Sequence, residues 1–309
     1  MARLLPIIAA LVLAGCGAVH GKPADDPTAQ APGSIVFAGE VEEGGTFHRG
    51  YFAVAPDGKD LRQLAYPEEV FSELSFSANR DLVALSIMRG DRFEVLLSRP
   101  DVWKPRKILP TDTGSDASLS PDGKNLAVAY QSKGSDHEDV WIASTDGRDL
   151  RQVTFTGSAA NTAWSPDGAW IAFTDDHEAR SSDAEIVYLV RADGTGLHRI
   201  PGEYISLSRP AWSPDGARLA LEDLDGRIVV VDVDGKSKTV LTSGEAPAWS
   251  PDGKWIAFTR NVPADEEGIW ENALLVIPAN GGRAERILTV DDEYGPMSWT
   301  TARPARKPS

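Results

Sequence analysis

A single cysteine, Cys16, stands in the whole chain, so no intrachain disulfide holds it together and stability has to come from packing and chain closure. Histidine is nearly as scarce. The five copies, His20, His48, His137, His177 and His198, include no H-x-x-x-H pair, which leaves a zinc site without sequence support. Basic side chains are also in deficit, 31 against 46 acidic, for a formal charge of −15. General binders of nucleic acid draw their affinity from Lys and Arg on phosphates, so nucleic acid is not an expected partner. No G-x-S-x-G elbow, P-loop or dinucleotide fingerprint occurs, and the Asp-rich stretches at Asp223-Gly226, Asp232-Gly235 and Asp265-Glu267 complete no calcium loop. No catalytic residue, metal or cofactor is therefore implied. Convincing 3.6-residue apolar stripes are missing as well, which argues against helices. The 41% of apolar residues in 309 nevertheless suffice for a sizeable core, in one large domain or two small ones.

The amino-terminal segment has its own pattern. Arg3 precedes an apolar run from Leu4 to Leu13, and small residues follow at Ala14 and Gly15. Ten residues are too few to span a bilayer of about 30 Å, so the run reads as a secretory signal. The join Leu13-Ala14-Gly15-Cys16 resembles the lipobox of bacterial lipoproteins, which implies cleavage before Cys16, lipidation of its thiol and attachment to a membrane through that lipid. An ordinary signal peptide with a chance cysteine is the alternative. The expected domains are thus residues 1–15 as signal peptide, 16–33 as lipidated cysteine and flexible tether, 34–300 as the folded part and 301–309 as a basic disordered tail.

From residue 34 onward an internal repeat dominates. Trp-Ser-Pro-Asp-Gly occurs at Trp164-Gly168, Trp212-Gly216 and Trp249-Gly253, with Leu119-Gly123 as a variant, Phe76-Ser77-Ala78-Asn79 as a degenerate copy and Trp299-Thr300 as a truncated one. The anchors lie 43, 45, 48, 37 and 50 residues apart, the length of four short strands with their turns. Pro fixes φ near −65° at the second turn position, Asp suits the third and Gly accepts the left-handed conformation before the next strand. On this reading the recurring Asp122, Asp167, Asp215 and Asp252 are turn residues, and the anchor tryptophans are core.

The repeat resembles the WD40-like, Pro-Asp propeller repeats of TolB and of the prolyl oligopeptidase group, over about residues 34–300. The resemblance implies an all-β, six-bladed β-propeller in which the motif joins innermost strand A to strand B. Residues 34–64 supply strands B, C and D of a split blade, and Gly295-Thr300 supply its A strand, so that the two ends close the ring and remove exposed sheet edges. The α/β-hydrolase domain of the oligopeptidase group is absent from this sequence. TolB-like proteins carry an additional α/β domain before the propeller, which residues 17–33 are too short to supply, so a role in the Tol assembly is not implied.

Alternating strand direction puts A–B and C–D turns on one face and B–C and D–A loops on the other. The turn face is expected to be basic (Lys59, Arg62, Arg148, Arg151, Lys236, Lys238, Arg283, Arg286) and the loop face acidic. Both chain ends emerge on the turn face, which would set it toward the membrane. The Trp212 repeat has a very short B–C link at Asp225-Gly226 between longer neighbours, which makes a notch on the loop face. Asp175, Asp176, His177, Asp223, Asp225, Asp265, Glu266, Glu267 and Trp270 are the candidate partner-binding residues there, with Trp270 either an exposed anchor or the start of strand C. The function these features imply is a lipid-anchored, TolB-like binding module of the bacterial envelope, without catalytic activity and monomeric, whose partner is an envelope protein or peptide of basic character. The alternative is a metal-dependent lyase or lactonase with its site in the central funnel, where His48, His137 and His177, all assigned to B–C loops, would have to converge.

Overall fold

The computed structural model describes residues 33–43, 46–65, 71–77, 82–89, 92–99, 104–109, 114–180, 184–205, 209–263, 270–290 and 298–300. Among them there are strands and turns and no helix. In chain order the strands are β1 (Ser34–Glu43), β2 (Thr46–Val54), β3 (Arg62–Ala65), β4 (Phe71–Phe76), β5 (Val83–Arg89), β6 (Arg92–Ser98), β7 (Arg106–Lys107) and β8 (Gly114–Leu119). There follow β9 (Asn125–Gln131), β10 (Glu138–Ser144), β11 (Leu150–Gln152), β12 (Ala159–Trp164), β13 (Trp170–Asp175), β14 (Ala184–Arg191), β15 (His198–Arg199), β16 (Tyr204–Ile205) and β17 (Ala211–Trp212). The last are β18 (Arg218–Asp223), β19 (Arg227–Asp232), β20 (Lys238–Ser243), β21 (Glu245–Trp249), β22 (Trp255–Pro263), β23 (Trp270–Pro278), β24 (Glu285–Val290) and β25 (Ser298–Thr300).

Four of the sheets are antiparallel and four-stranded: β4–β7, β8–β11, β21–β24, and the order β25-β1-β2-β3. In the last, the first and last described strands meet, with Ser34 opposite Thr300, Ile35 opposite Trp299 and Val36 opposite Ser298. The fifth sheet has nine strands, β12 to β20. Separate four-stranded blades are thus not seen everywhere the repeat predicts them. The cause is local: β16, from the link that follows β15, pairs with β14 (Ala184 with Ile205, Glu185 with Tyr204) and with β18 (Tyr204 with Asp223), stitching two meanders together. The whole is an all-β propeller.

The repeated turn explains why the strands begin where they do. In each of four copies the serine hydroxyl donates to the aspartate two residues on, at 2.7 Å (Ser120), 2.6 Å (Ser165), 2.5 Å (Ser213) and 2.7 Å (Ser250). The same oxygen accepts the first N–H of the next strand, from Asn125, Trp170, Arg218 and Trp255. The glycine takes φ of 70–72° in all four copies, where a side chain would be strained. These aspartates belong to turns. Hydrogen bonds from Ser165 and then from the Ala169 N–H hold Asp167 below the ordinary carboxyl pKa, and Asp122 and Asp215 are lowered in the same way. A lowered folded-state pKa gives stability that is present above the unfolded value and disappears as pH falls through the folded one. Asp167→Ala should therefore cost about 0.5–1.5 kcal/mol at pH 7 and progressively less as the pH falls below 4, as read by urea denaturation; a cost independent of pH would remove the carboxylate from the explanation.

Side chains between successive strand sets form a ring of apolar seams. Ile35, Phe37 and Phe52 pack on Trp255, Leu274 and Trp299, while Val36, Tyr51 and Ala53 pack on Leu74, Val83 and Leu85. Further seams join β5–β6 to β8–β9, β9–β10 to β12–β13, β13–β14 to β18–β19, and β18–β19 to β21–β23. The anchor tryptophans lie in these seams: Trp249 and Trp299 are buried, Trp164 and Trp212 are half-buried, and the Trp212 indole N–H donates to the Ala163 carbonyl at 3.0 Å.

Candidate functional site

The loop face carries the residues that the sequence singles out, and the structure separates them into two groups. Asp176, His177 and Asp225 are exposed. Asp175 and Asp223 are not: each ends a B strand, with 1% and 3% of its surface exposed. Their carboxylates accept backbone N–H groups two residues on, from His177 at 2.9 Å and Asp225 at 3.1 Å, the local bonding that makes Asp a turn former. Asp223 also binds the Arg227 guanidinium at 2.8 Å and lies 3.5 Å from the Lys238 ammonium. Burial raises its carboxyl pKa, but the hydrogen bonds from Arg227 and from two backbone N–H groups, with the Lys238 charge, outweigh it and leave the pKa lowered. These two carboxylates are buried and shape the loops through local hydrogen bonds. Asp265, Glu266, Glu267 and Cys16 lie outside the described residues, and Trp270 opens β23 opposite Pro263. His48 is inside β2, opposite Val41, not in a B–C loop.

Strand lengths give the loop face its relief. β18 and β19 have six residues each and are joined by a tight turn at Gly226 (φ 67°), whereas β22 and β23 have nine each. Three extra residues raise a hairpin by about 10 Å. On the other side of β18, however, the gap toward β14 is filled by β16. Its Tyr204 is 1% exposed, and the phenol donates to the Pro201 carbonyl at 2.8 Å. Among the described residues, the gap beside β18 is therefore closed toward β14, and the step in strand length lies toward β22–β23.

A second feature lies nearer the propeller axis and was not read from the sequence. Three innermost strands bulge, and at each bulge a residue other than glycine has positive φ: Asp116 (53°), Asn161 (51°) and Ala246 (50°). Each stands three residues before its Leu119, Trp164 or Trp249 anchor. Arg209 occupies the same place before Trp212, and aligning the repeats on their anchors would have found the set. The Asn161 N–H donates to Asp116 Oδ2 at 3.3 Å and its side-chain amide to Thr174 Oγ1 at 3.0 Å. Arg209 reaches further, donating to the carbonyls of Ala117 at 3.0 Å and Leu74 at 3.4 Å. Its Nε has no solvent access, and burial lowers its pKa to about 9, which leaves it charged at neutral pH.

Comparison with known proteins turns this architecture into a classification. The sequence matches the TolB beta propeller domain (PD40) over residues 56–303. The chain belongs to this family. No curated protein matches it. Among solved structures, TolB from Acinetobacter baumannii superposes with a TM-score of 0.69 at 16% identity, over 87% of this chain and 66% of that one, so the present chain spans less than two thirds of its length. A chain of a nidogen/laminin complex gives 0.62 at 14% identity, over 86% and 97% of the two chains. An oligogalacturonate lyase in complex with manganese gives 0.52 at 13% identity, over 78% and 76%. At these identities the likeness is one of fold.

In this TolB-type propeller three of the eight turn-face cations are answered by an aspartate of their own turn. Lys59 pairs with Asp57, Arg148 with Asp146 and Lys236 with Asp234. Lys238 and Arg286 do not stay on the turn face: their side chains meet Asp223 and Glu271. The expected division into one basic and one acidic side is correspondingly weaker. Among the described residues no three His, Cys, Asp or Glu side chains gather as a cation site.

Glu222 is buried on β18; burial, then the nearby charges of Glu245 and Asp223, push its pKa up to about 7. A raised folded-state pKa means stability that is full below the unfolded value, near 4.5, and is lost as pH rises through 7. Glu222→Gln should therefore raise the unfolding free energy at pH 8.5 by about 1–2 kcal/mol once solvent screening is allowed for, and change it little at pH 4. Equal effects at both pH values would show that Glu222 is already charged at low pH.

Proposed function

We propose that this chain is a lipid-anchored, extracytoplasmic propeller of the bacterial envelope that binds a basic protein or peptide on its loop face and performs no catalysis. The observation that carries the reading is the step on that face between the six-residue hairpin β18–β19 and the nine-residue hairpin β22–β23, with Asp225 exposed on the low side and Asp176 exposed on the same face. Asp265, Glu266, Glu267 and Trp270 would form the high side. Membership in the TolB propeller family supports an envelope setting, and the lipobox-like segment ending at Cys16 supplies the anchor. The blade count belongs to the same reading: the six-bladed proposal takes the nine-stranded sheet as two blades, β12–β15 and β17–β20, joined by β16, a reading that their strand order supports.

The test is quantitative capture of envelope proteins by the wild type and by Asp176→Lys and Asp225→Lys variants of unchanged Tm. A partner whose binding weakens in both variants and at raised salt supports the reading. Capture indifferent to both charges contradicts it. The lyase or lactonase alternative is addressed by metal analysis of the purified chain, where a stoichiometric ion together with cleavage of a sugar acid or lactone would replace the binding role. For the anchor, Cys16→Ser should move the protein from the membrane to the soluble fraction.

A further inference from the structure

We propose that the seam between β20 and β22–β24 is a binding site for a small organic anion, a carboxylate or phosphate on an apolar body. A cavity of about 480 Å³ opens there, lined by Arg260, Arg283, Arg286, Glu285 and the apolar Val262, Leu275 and Ala284. That volume falls in the range of small-molecule sites, which are mostly apolar with a few placed polar groups.

The three arginines differ in how far the protein satisfies them. Arg286 is bound to the Glu271 carboxylate and the Thr289 hydroxyl. Arg260 spans the seam: Nη1 donates to Thr242 Oγ1 on β20 at 3.1 Å, and its guanidinium carbon lies 5.7 Å from the Phe258 ring centroid. Those contacts fix its plane and use one of its five N–H donors. Arg283, on the Gly281-Gly282 loop between β23 and β24, is exposed and has no carboxylate within ion-pair distance among the described residues. The chain carries 46 acidic residues, yet Glu285 is the one acid among the seven that line this cavity. A planar guanidinium fork matches the oxygens of a carboxylate or phosphate, and the apolar floor suits a ligand body that sheds water. The site is independent of the loop-face reading, which stands or falls by its own test.

The experiment is a titration of the purified full-length chain at low salt, followed by arginine Nε resonances, with three probes: N-acetyl-leucine for the carboxylate, phenyl phosphate for the phosphate and N-acetyl-leucinamide as the uncharged control. The proposal predicts saturable shifts of Arg260 and Arg283 with at least one anion, none with the amide, and roughly tenfold weaker binding in Arg283→Gln and in Arg260→Gln. Arg148→Gln, on the turn face, should bind as the wild type does. Which anion binds identifies the oxyanion. Failure of both anions to bind at millimolar concentration, binding of the amide as tightly as of the acid, or affinity unchanged in both cleft variants would overturn it.

Discussion

Replacing Arg209 by alanine is expected to lower the stability of the propeller by about 1.5–3 kcal/mol, the usual contribution of hydrogen bonds from a charged donor to buried acceptors. For a domain of this size that corresponds to a fall in Tm of several degrees. The reason is geometric. Arg209 comes from the segment before β17, whereas the carbonyls it binds, Leu74 and Ala117, belong to β4 and β8. One side chain thus ties three innermost strands across the axis, 135 and 92 residues apart in sequence. Alanine leaves both carbonyls without that donor in a place water hardly reaches. Arg209→Lys should recover part of the loss, because an ammonium donates but cannot span both acceptors with a planar fork. Arg209→Met fills the volume without the donors and separates packing from hydrogen bonding; stability equal to the wild type in that variant would show that the axial bonds contribute nothing.

The second large effect is expected at the closure. Trp299 is 8% exposed and packs with Ile35, Phe37, Phe52, Ala248 and Trp255, so Trp299→Ala should cost about 3–5 kcal/mol. Because β25 is short, Ser298–Thr300, this indole supplies much of the apolar area that holds the strand against β1. Its loss should also open the edge of β1, which an exposed sheet edge makes prone to association. Light scattering at 37 °C is expected to rise in the variant and not in Trp164→Phe, a change in a seam away from the closure. Equal aggregation of the two variants would count against a special role for the closing strand.

Much of the fold is legible in the sequence because its signal is local. Ser-Pro-Asp-Gly encodes a turn through contacts spanning five residues, so its recurrence marks strand starts at Asn125, Trp170, Arg218 and Trp255 without any tertiary knowledge. The stitching strand β16 is not legible. Tyr204 and Ile205 carry no distinctive pattern, and their pairing exists only because β14 and β18 are already side by side. The candidate site divides along the same line. The exposure of Asp176, His177 and Asp225 follows from loop position alone. Asp175 and Asp223 sit at loop boundaries in the sequence, yet each ends a strand and turns inward onto backbone N–H groups, a contact that sequence position does not reveal. Lys238 and Arg286 illustrate the limit of sorting charges by strand end, since long side chains carried them to Asp223 and Glu271. The arginine cleft needed tertiary structure altogether, because Thr242 and Arg260 come from different repeats.

The claim on which the geography of faces depends is that the first and last described strands are paired in one sheet. Amide hydrogen exchange in the intact protein measures this directly at Ile35, Val36 and Trp299, whose registers oppose one another. Protection of these amides comparable to that of Ala127 or Phe258 in the interior is the predicted result; exchange of Trp299 at the rate of an unstructured peptide, with the interior strands still protected, would contradict it.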